Sequence, residues 1–299
     1  IEKQTARAVD CFTTVSDITA REAEQLLDKP VDVVLKNGFE NDFVPKGGKF
    51  TSARNAARKQ LIAVAQKVLG IPLAEDILIV GTSGRYELKN KGLDAFVDAM
   101  NSLNELGDKL SKDILAYIFV PAWVGEARQD LIYRMQNLDK PEITPLEYPY
   151  ITHWLHQNVQ DPILHMMRER GLVNQPDSRV KLIFVPCYLN GSDGIFNMSY
   201  YDVLIGQDIT IYPSYYEPWG YTPLESIAFK IPTITTNLSG FGAWVETVDN
   251  YKRGISDGVA VLERTDHNYG EIVDAICRTI SDYAQLGSKE INRTRNRAS

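Results

Sequence analysis

What this sequence lacks narrows its function before any motif is read. No apolar run approaches the ~20 residues needed to cross a bilayer, so neither a span nor a membrane partner is expected. Clustered Lys and Arg are missing too, and with a formal net charge of −7 the chain is a poor match for a phosphate backbone, which argues against nucleic acid as partner. The three cysteines, Cys11, Cys187 and Cys277, are an odd count without C-x-x-C spacing and indicate neither a disulfide framework nor a zinc site. A reducing cytoplasm is the expected compartment. The opening I-E-K-Q begins without Met and lacks the profile of a signal peptide, and the chain is expected to be cut from something longer. His153 and His156, spaced to share a helical face, have no third ligand at suitable spacing, so no metal is expected. G-T-S-G at Gly81 to Gly84 completes neither G-x-G-x-x-G nor a P-loop, which leaves dehydrogenase and kinase readings without a phosphate cradle. Ser83, Ser214 and Ser226 lie outside any G-x-S-x-G setting, so a hydrolase is unsupported.

What is present is an α/β pattern. A chain of 299 residues with 44% hydrophobic content can bury one large core or two modest ones. Strand-like runs are expected at Asp10 to Val15, Val31 to Leu35, Asp76 to Val80, Ile114 to Val120, Val180 to Pro186, Asp208 to Tyr212 and Thr233 to Thr236. Helices are expected at Thr19 to Leu27, opened by Ser16 or Asp17, then at Arg54 to Leu69, Leu93 to Leu106 and Tyr269 to Leu286. The stretch from Trp154 to Met167 has helical spacing and reads as core or subunit contact. Such alternation implies a doubly wound parallel sheet of Rossmann-like type. Its ligand would lie beyond the carboxyl ends of the strands, where loops at Gly84, Cys187 and Glu217 converge.

The run Y-P-S-Y-Y-E-P-W-G-Y-T-P-L-E, Tyr212 to Glu225, carries the densest chemistry. It follows a strand, turns at Pro213, and leads into a helix for which Thr222 and Pro223 suit the N-cap and first turn. A helix opening beside a strand end presents unpaired N–H groups and the positive end of its dipole, a site suited to phosphate, with Gly220 and Thr222 nearest. Glu217 and Glu225 flank that site and can accept hydrogen bonds from sugar or ribose hydroxyls. Taken alone, a solvated Glu217 and a Glu225 that merely complements the helix dipole fit the same residues.

This run and its continuation I-P-T-I-T-T-N-L-S-G-F-G resemble the glycogen synthases of glycosyltransferase family 3, the animal and fungal type. Two further blocks agree in order, V-S-D-I-T-A-R-E-A-E-Q-L-L from Val15 and G-R-Y-E-L-K-N-K-G from Gly84. The resemblance covers most of the chain and weakens between about Ala127 and Gln175, where a shortened helical insertion is expected. It implies a GT-B fold, with residues 1–38 the tail of an N-terminal, acceptor-side domain and residues 39–299 a C-terminal nucleotide-sugar domain. The implied activity is retaining transfer of glucose from a nucleotide-glucose donor, UDP-glucose before ADP-glucose, to an α-1,4-glucan bound through the N-terminal domain. These residues alone are expected to bind donor weakly without turnover, and whether the whole enzyme is homo-oligomeric is left open at this point.

By the same resemblance Arg85 and Lys91 clamp the pyrophosphate, Glu217 holds the glucose hydroxyls, and Trp219 and Gly220 shape the pocket. Tyr200 stacks on the base, Glu225 meets the ribose, Tyr221 and Thr222 belong to the donor site, and Arg58 falls near a nucleotide-contacting Lys. No metal or other cofactor is implied, since these cations and the helix terminus stabilise the leaving group. Family members respond to glucose 6-phosphate through histidines and an arginine helix. Here Gly48, Lys49 and Asp208 occupy the histidine places, and Arg293, Arg295 and Arg297 resemble the start of that helix. An Asp repels phosphate, so no response is expected. Two alternatives stay open on the residues: a GT-B transferase with another acceptor, and a non-catalytic nucleotide-sugar-binding module.

Overall fold

A computed structural model describes residues 1–140 and 144–298. The chain opens with α1 (Glu2–Ala8), β1 (Thr13–Thr14), α2 (Asp17–Leu27) and β2 (Val33–Val34), in which the two strands pair in parallel over two residues each. Longer strands were expected there. The start of α2 follows the sequence closely: the Ser16 hydroxyl accepts the Thr19 amide at 3.3 Å and the Thr19 hydroxyl accepts the Ser16 amide at 3.2 Å.

The main unit contains α3 (Gly48–Leu69), β3 (Leu78–Ser83), α4 (Leu93–Glu105), β4 (Ile114–Phe119), β5 (Val124–Ala127), α5 (Gln129–Gln136), β6 (His153–Leu155), α6 (Pro162–Glu169) and β7 (Val180–Val185). It continues through α7 (Tyr200–Leu204), β8 (Ile209–Ile211), α8 (Tyr221–Ala228), β9 (Thr233–Thr236), α9 (Gly240–Val245), β10 (Val259–Leu262), α10 (Tyr269–Ala284) and α11 (Ser288–Ala298). Six strands form one parallel sheet in the order β10-β9-β8-β3-β4-β7.

Every residue of β3, β4 and β7 is buried, because helices cover both faces. Alternate residues serve alternate cores. Ile114, Ala116 and Ile118 face Phe96, Met100 and Ile276 of α4 and α10, whereas Leu115, Tyr117 and Phe119 face Leu61, Val64 and Leu131 of α3 and α5. Each large side chain so buried stabilises the fold by about 1.5–3 kcal/mol. The threonines of β9 are tolerated inside because their hydroxyls find partners, Thr233 with Thr210 at 2.9 Å and Thr236 with the Ser214 carbonyl at 2.7 Å.

Three differences from the sequence expectation are physical. First, α3 begins six residues before Arg54, at a Gly47 with no capping side chain, because packing of Phe50 and Ala53 outweighs weak local signals. Second, the segment 127–175 is not only helical: β6 lies within it and pairs antiparallel with β5, which ends at Ala127, and Trp154 lies on β6 rather than on a helix. Third, α11 follows α10 as a separate helix. β3 pairs with β4 on one side and β8 on the other, so the strand order reverses direction around it and a crevice opens at its carboxyl end.

Candidate functional site

That crevice is a cavity of about 450 Å³. Its walls are Ser83 to Tyr86 at the end of β3 and just beyond it, Phe119 and Pro121 at the end of β4 and beyond it, Cys187 to Leu189 after β7, Tyr200 opening α7, and Thr222 in the first turn of α8. Of the three loops expected to converge, those at Gly84 and Cys187 line this cavity, whereas Glu217 is not among its lining residues.

The start of α8 differs from the sequence reading. Its N-cap is Gly220, at φ 110 and ψ 85, so the helix begins at Tyr221 and Thr222 sits inside the first turn. The left-handed backbone explains glycine at this point. No side chain caps the helix, and its first amides are left to whatever occupies the crevice at Thr222. Tyr221 is exposed.

Lys91 and Glu217 form an ion pair, with side chains 11% and 20% exposed, which unites the loop after β3 with the loop after β8. Arg85 is open to solvent at 73% exposure, with its Nε 3.2 Å from Glu87, and is free to turn toward a ligand in the adjoining cavity. The Tyr200 hydroxyl is 2.7 Å from Ser83 Oγ, which lies 3.3 Å from the Tyr212 hydroxyl; that in turn is 2.9 Å from Ser226 Oγ on α8. Burial holds the Tyr200 and Tyr212 phenols protonated. Tyr86 donates to Asp161, the N-cap of α6, at 2.6 Å, and burial together with that carboxylate pushes its pKa up. Glu225 is half-buried and accepts from the Tyr201 hydroxyl at 3.0 Å; burial raises its pKa against the opposing effect of that bond.

Two candidates do not join this group. Trp219 is 4% exposed and packs edge-on against Phe241, centroids 6.3 Å apart, behind the loop rather than in the cavity wall. Arg58 lies at the other end of the sheet. It bonds Asp208 at 2.6 Å and the carbonyls of Glu75 and Ile77, and Arg54 takes the second carboxylate oxygen of Asp208 at 2.5 Å. Burial would raise the Asp208 pKa, but the two guanidiniums and the Ile79 amide bring it below the ordinary value. The charge expected to repel phosphate is therefore already engaged. Beside it lies a larger cavity of about 660 Å³, lined in part by Lys46, Arg54, Lys230 and Arg295. Arg295, on α11, is 6% exposed, and burial and Arg54 lower its pKa to about 10.

His153, Cys187 and Asp193 bring one ligand-type atom each within 4.8 Å of one another, a grouping that sequence spacing did not reveal. His153 and Asp193 are otherwise employed, and Cys187 is a buried free thiol. His153 Nε2 faces the Asp193 carbonyl at 2.9 Å and so carries the proton, which leaves Nδ1 to accept from Thr152 Oγ1 at 2.9 Å. The Asp193 carboxylate accepts the amides of Ile195, Phe196 and Asn197. Burial lowers the His153 pKa and pushes the Cys187 thiol up to about 12. Among the described residues no helix is long and apolar enough to cross a membrane.

A six-stranded parallel sheet covered by helices on both faces, with a crevice beyond its carboxyl ends, defines a Rossmann-like α/β unit, and the solved structures that share its fold are GT-B glycosyltransferases. A solved glycosyltransferase from Rickettsia africae matches at TM-score 0.54 and 19% identity, over 99% of this chain and 61% of that one. Sucrose-phosphate synthase from Thermosynechococcus elongatus matches at 0.52 and 17%, over 99% and 55%. The family model described as glycogen synthase matches residues 1–130 and 129–299, and the chain belongs to that family. Curated relatives include glycogen [starch] synthase of Neurospora crassa, 29% identical over 99% of this chain and 49% of its own length. Isoform 2 of Saccharomyces cerevisiae is 30% identical over 99% and 51%, and the Homo sapiens liver enzyme 27% over 99% and 49%. The chain thus spans about half the length of the curated relatives it matches.

Proposed function

We propose that this chain is the donor-binding part of a glycogen synthase, which transfers glucose with retention from a nucleotide-glucose, UDP-glucose before ADP-glucose, to the non-reducing end of an α-1,4-glucan. The observation that carries the reading is the Lys91–Glu217 ion pair, which joins the loops after β3 and β8, together with a cavity bounded by Arg85 and the uncapped start of α8. The diphosphate lies against the Thr222 amide, and Arg85 and Lys91 stabilise its charge as the glycosidic bond breaks. Glu217, held in place by Lys91, accepts glucose hydroxyls, Tyr200 offers its ring to the base, and Glu225 meets the ribose. No metal is assigned a role. Residues 1–38 belong to the acceptor side and residues 39–299 to the donor side, and the enzyme works in the cytoplasm.

Calorimetric titration with UDP, ADP and UDP-glucose tests this, with an Arg85→Ala/Glu225→Ala double variant as control. Saturable binding of one nucleotide, lost in the variant, is the expected result. Equal binding by the variant would place the nucleotide elsewhere and remove the reading.

A further inference from the structure

Arg264 stands two residues beyond β10 and is 5% exposed, although nothing in the sequence around it marks a site. A buried guanidinium needs partners, and those of Arg264 are loops rather than other strands. Its Nη1 donates to the Pro213 carbonyl, and its guanidinium carbon lies 5.4 Å from the centroid of the Tyr215 ring. Its own amide donates to Asn237 Oδ1 at 2.7 Å, which fixes it to the end of β9. Tyr215 is tied a second time, through its hydroxyl to Asp266.

These contacts bear on Lys91 from both sides. On one side the Tyr215 amide donates to the Asn90 carbonyl at 2.8 Å. On the other, Gly92 lies so close that a Cβ there would collide with the Pro213 carbonyl and approach Arg264 Nη1 to 2.9 Å. Lys91 therefore emerges from a backbone pressed against residues 213–215, two positions before its partner Glu217. Arg264 holds 213–215 in that place from the side of Pro213 and Tyr215, and the Thr236 hydroxyl holds the Ser214 carbonyl between them at 2.7 Å. Asp94, on the first turn of α4 after Gly92, attracts the same guanidinium and offsets part of the cost of its burial.

We propose that Arg264 is a positioning residue for the reacting centre: it locks the loop after β8 against the loop after β3, so that Lys91 and Glu217 meet in one fixed geometry. The assignment rests on the reading of the crevice as a nucleotide-glucose site. It acts through Lys91 and Glu217 and is not among the residues that line the cavity.

The test is steady-state kinetics of glucosyl transfer by the intact protein that carries this chain, with rates normalised to folded protein by circular dichroism. For Arg264→Ala, kcat should fall about 100-fold while KM for the nucleotide-glucose changes less than about threefold, because misplacement by an ångström damages the transition state more than ground-state binding. Arg264→Lys, which keeps one donor for the Pro213 carbonyl, should recover part of the loss. Should Arg264→Ala fail to fold, Tyr215→Leu removes the ring against the guanidinium at a residue 42% exposed, and should lower kcat about fivefold at unchanged KM. An unchanged kcat in either variant, or a loss that appears wholly in KM, would overturn the assignment alone. Absence of transfer by the unmodified protein would overturn the underlying reading and the assignment with it.

Discussion

The two ends of the sheet carry the same kind of interaction put to different uses. At the amino end Asp208 is clasped by Arg54 and Arg58 and also accepts the Ile79 amide at 2.8 Å, so its acceptor positions are filled by the protein. At the carboxyl end Glu217 meets one cation, Lys91, and Arg85, in the wall of an open cavity, has three-quarters of its surface in water. A saturated carboxylate holds a fold together, whereas an unsaturated one can still recognise a hydroxyl or answer a phosphate. Charge and burial alone do not separate the two ends; the count of partners does.

The largest expected effect breaks the amino end. Asp208→Ala leaves two guanidiniums facing each other in a poorly solvated place and should cost about 3–5 kcal/mol of stability, read by urea unfolding, without changing nucleotide affinity of the folded protein. The pH dependence follows from the depressed pKa. The stability contributed by Asp208 is fully present above the unfolded value of 3.8 and is lost as pH falls through the lower folded value, so wild type and Asp208→Asn should converge in acid.

Next comes the carboxyl end, where Lys91→Ala should lower the transfer rate by about 10²–10³-fold with little change in melting temperature. Comparable thermal losses at both ends would erase the contrast. Gly92→Ala sharpens it from the backbone side. With φ +67 and a Cβ aimed at the Pro213 carbonyl, it should cost about 1–3 kcal/mol and depress activity beyond that loss of stability, measured by melting and rate on one preparation. Smallest is Tyr212→Phe, which removes the hydroxyl between Ser83 and Ser226 and should cost about 1 kcal/mol in chemical denaturation.

Much of this architecture was legible because its signals are local. Ser16 and Thr19 announce α2, the run Thr233–Thr236 between Pro232 and Asn237 is β9 as expected, and alternation of strands with helices places the crevice. What escaped depends on residues far apart in sequence. Arg58 reads as a nucleotide contact until Asp208, 150 residues away, is brought beside it. Trp219 reads as a pocket wall until Phe241 and Trp244 of α9 enclose it. Gly220 escaped as the helix start because Thr222 and Pro223 are the more familiar opening pair, and only the backbone angle reveals the turn. The His153–Cys187–Asp193 grouping spans β6 and the loop after β7, which no spacing rule connects.

The Lys91–Glu217 pair joins residues separated by 126 positions. Bringing such remote segments together requires the central strands to pair first, and the entropy lost on closing long loops makes parallel β pairing slow. The crevice is thus expected to form late in folding, and in a refolding experiment helical circular dichroism should return before nucleotide binding does. Its chemistry is dormant in the newly collapsed chain and awakens only with the completed sheet.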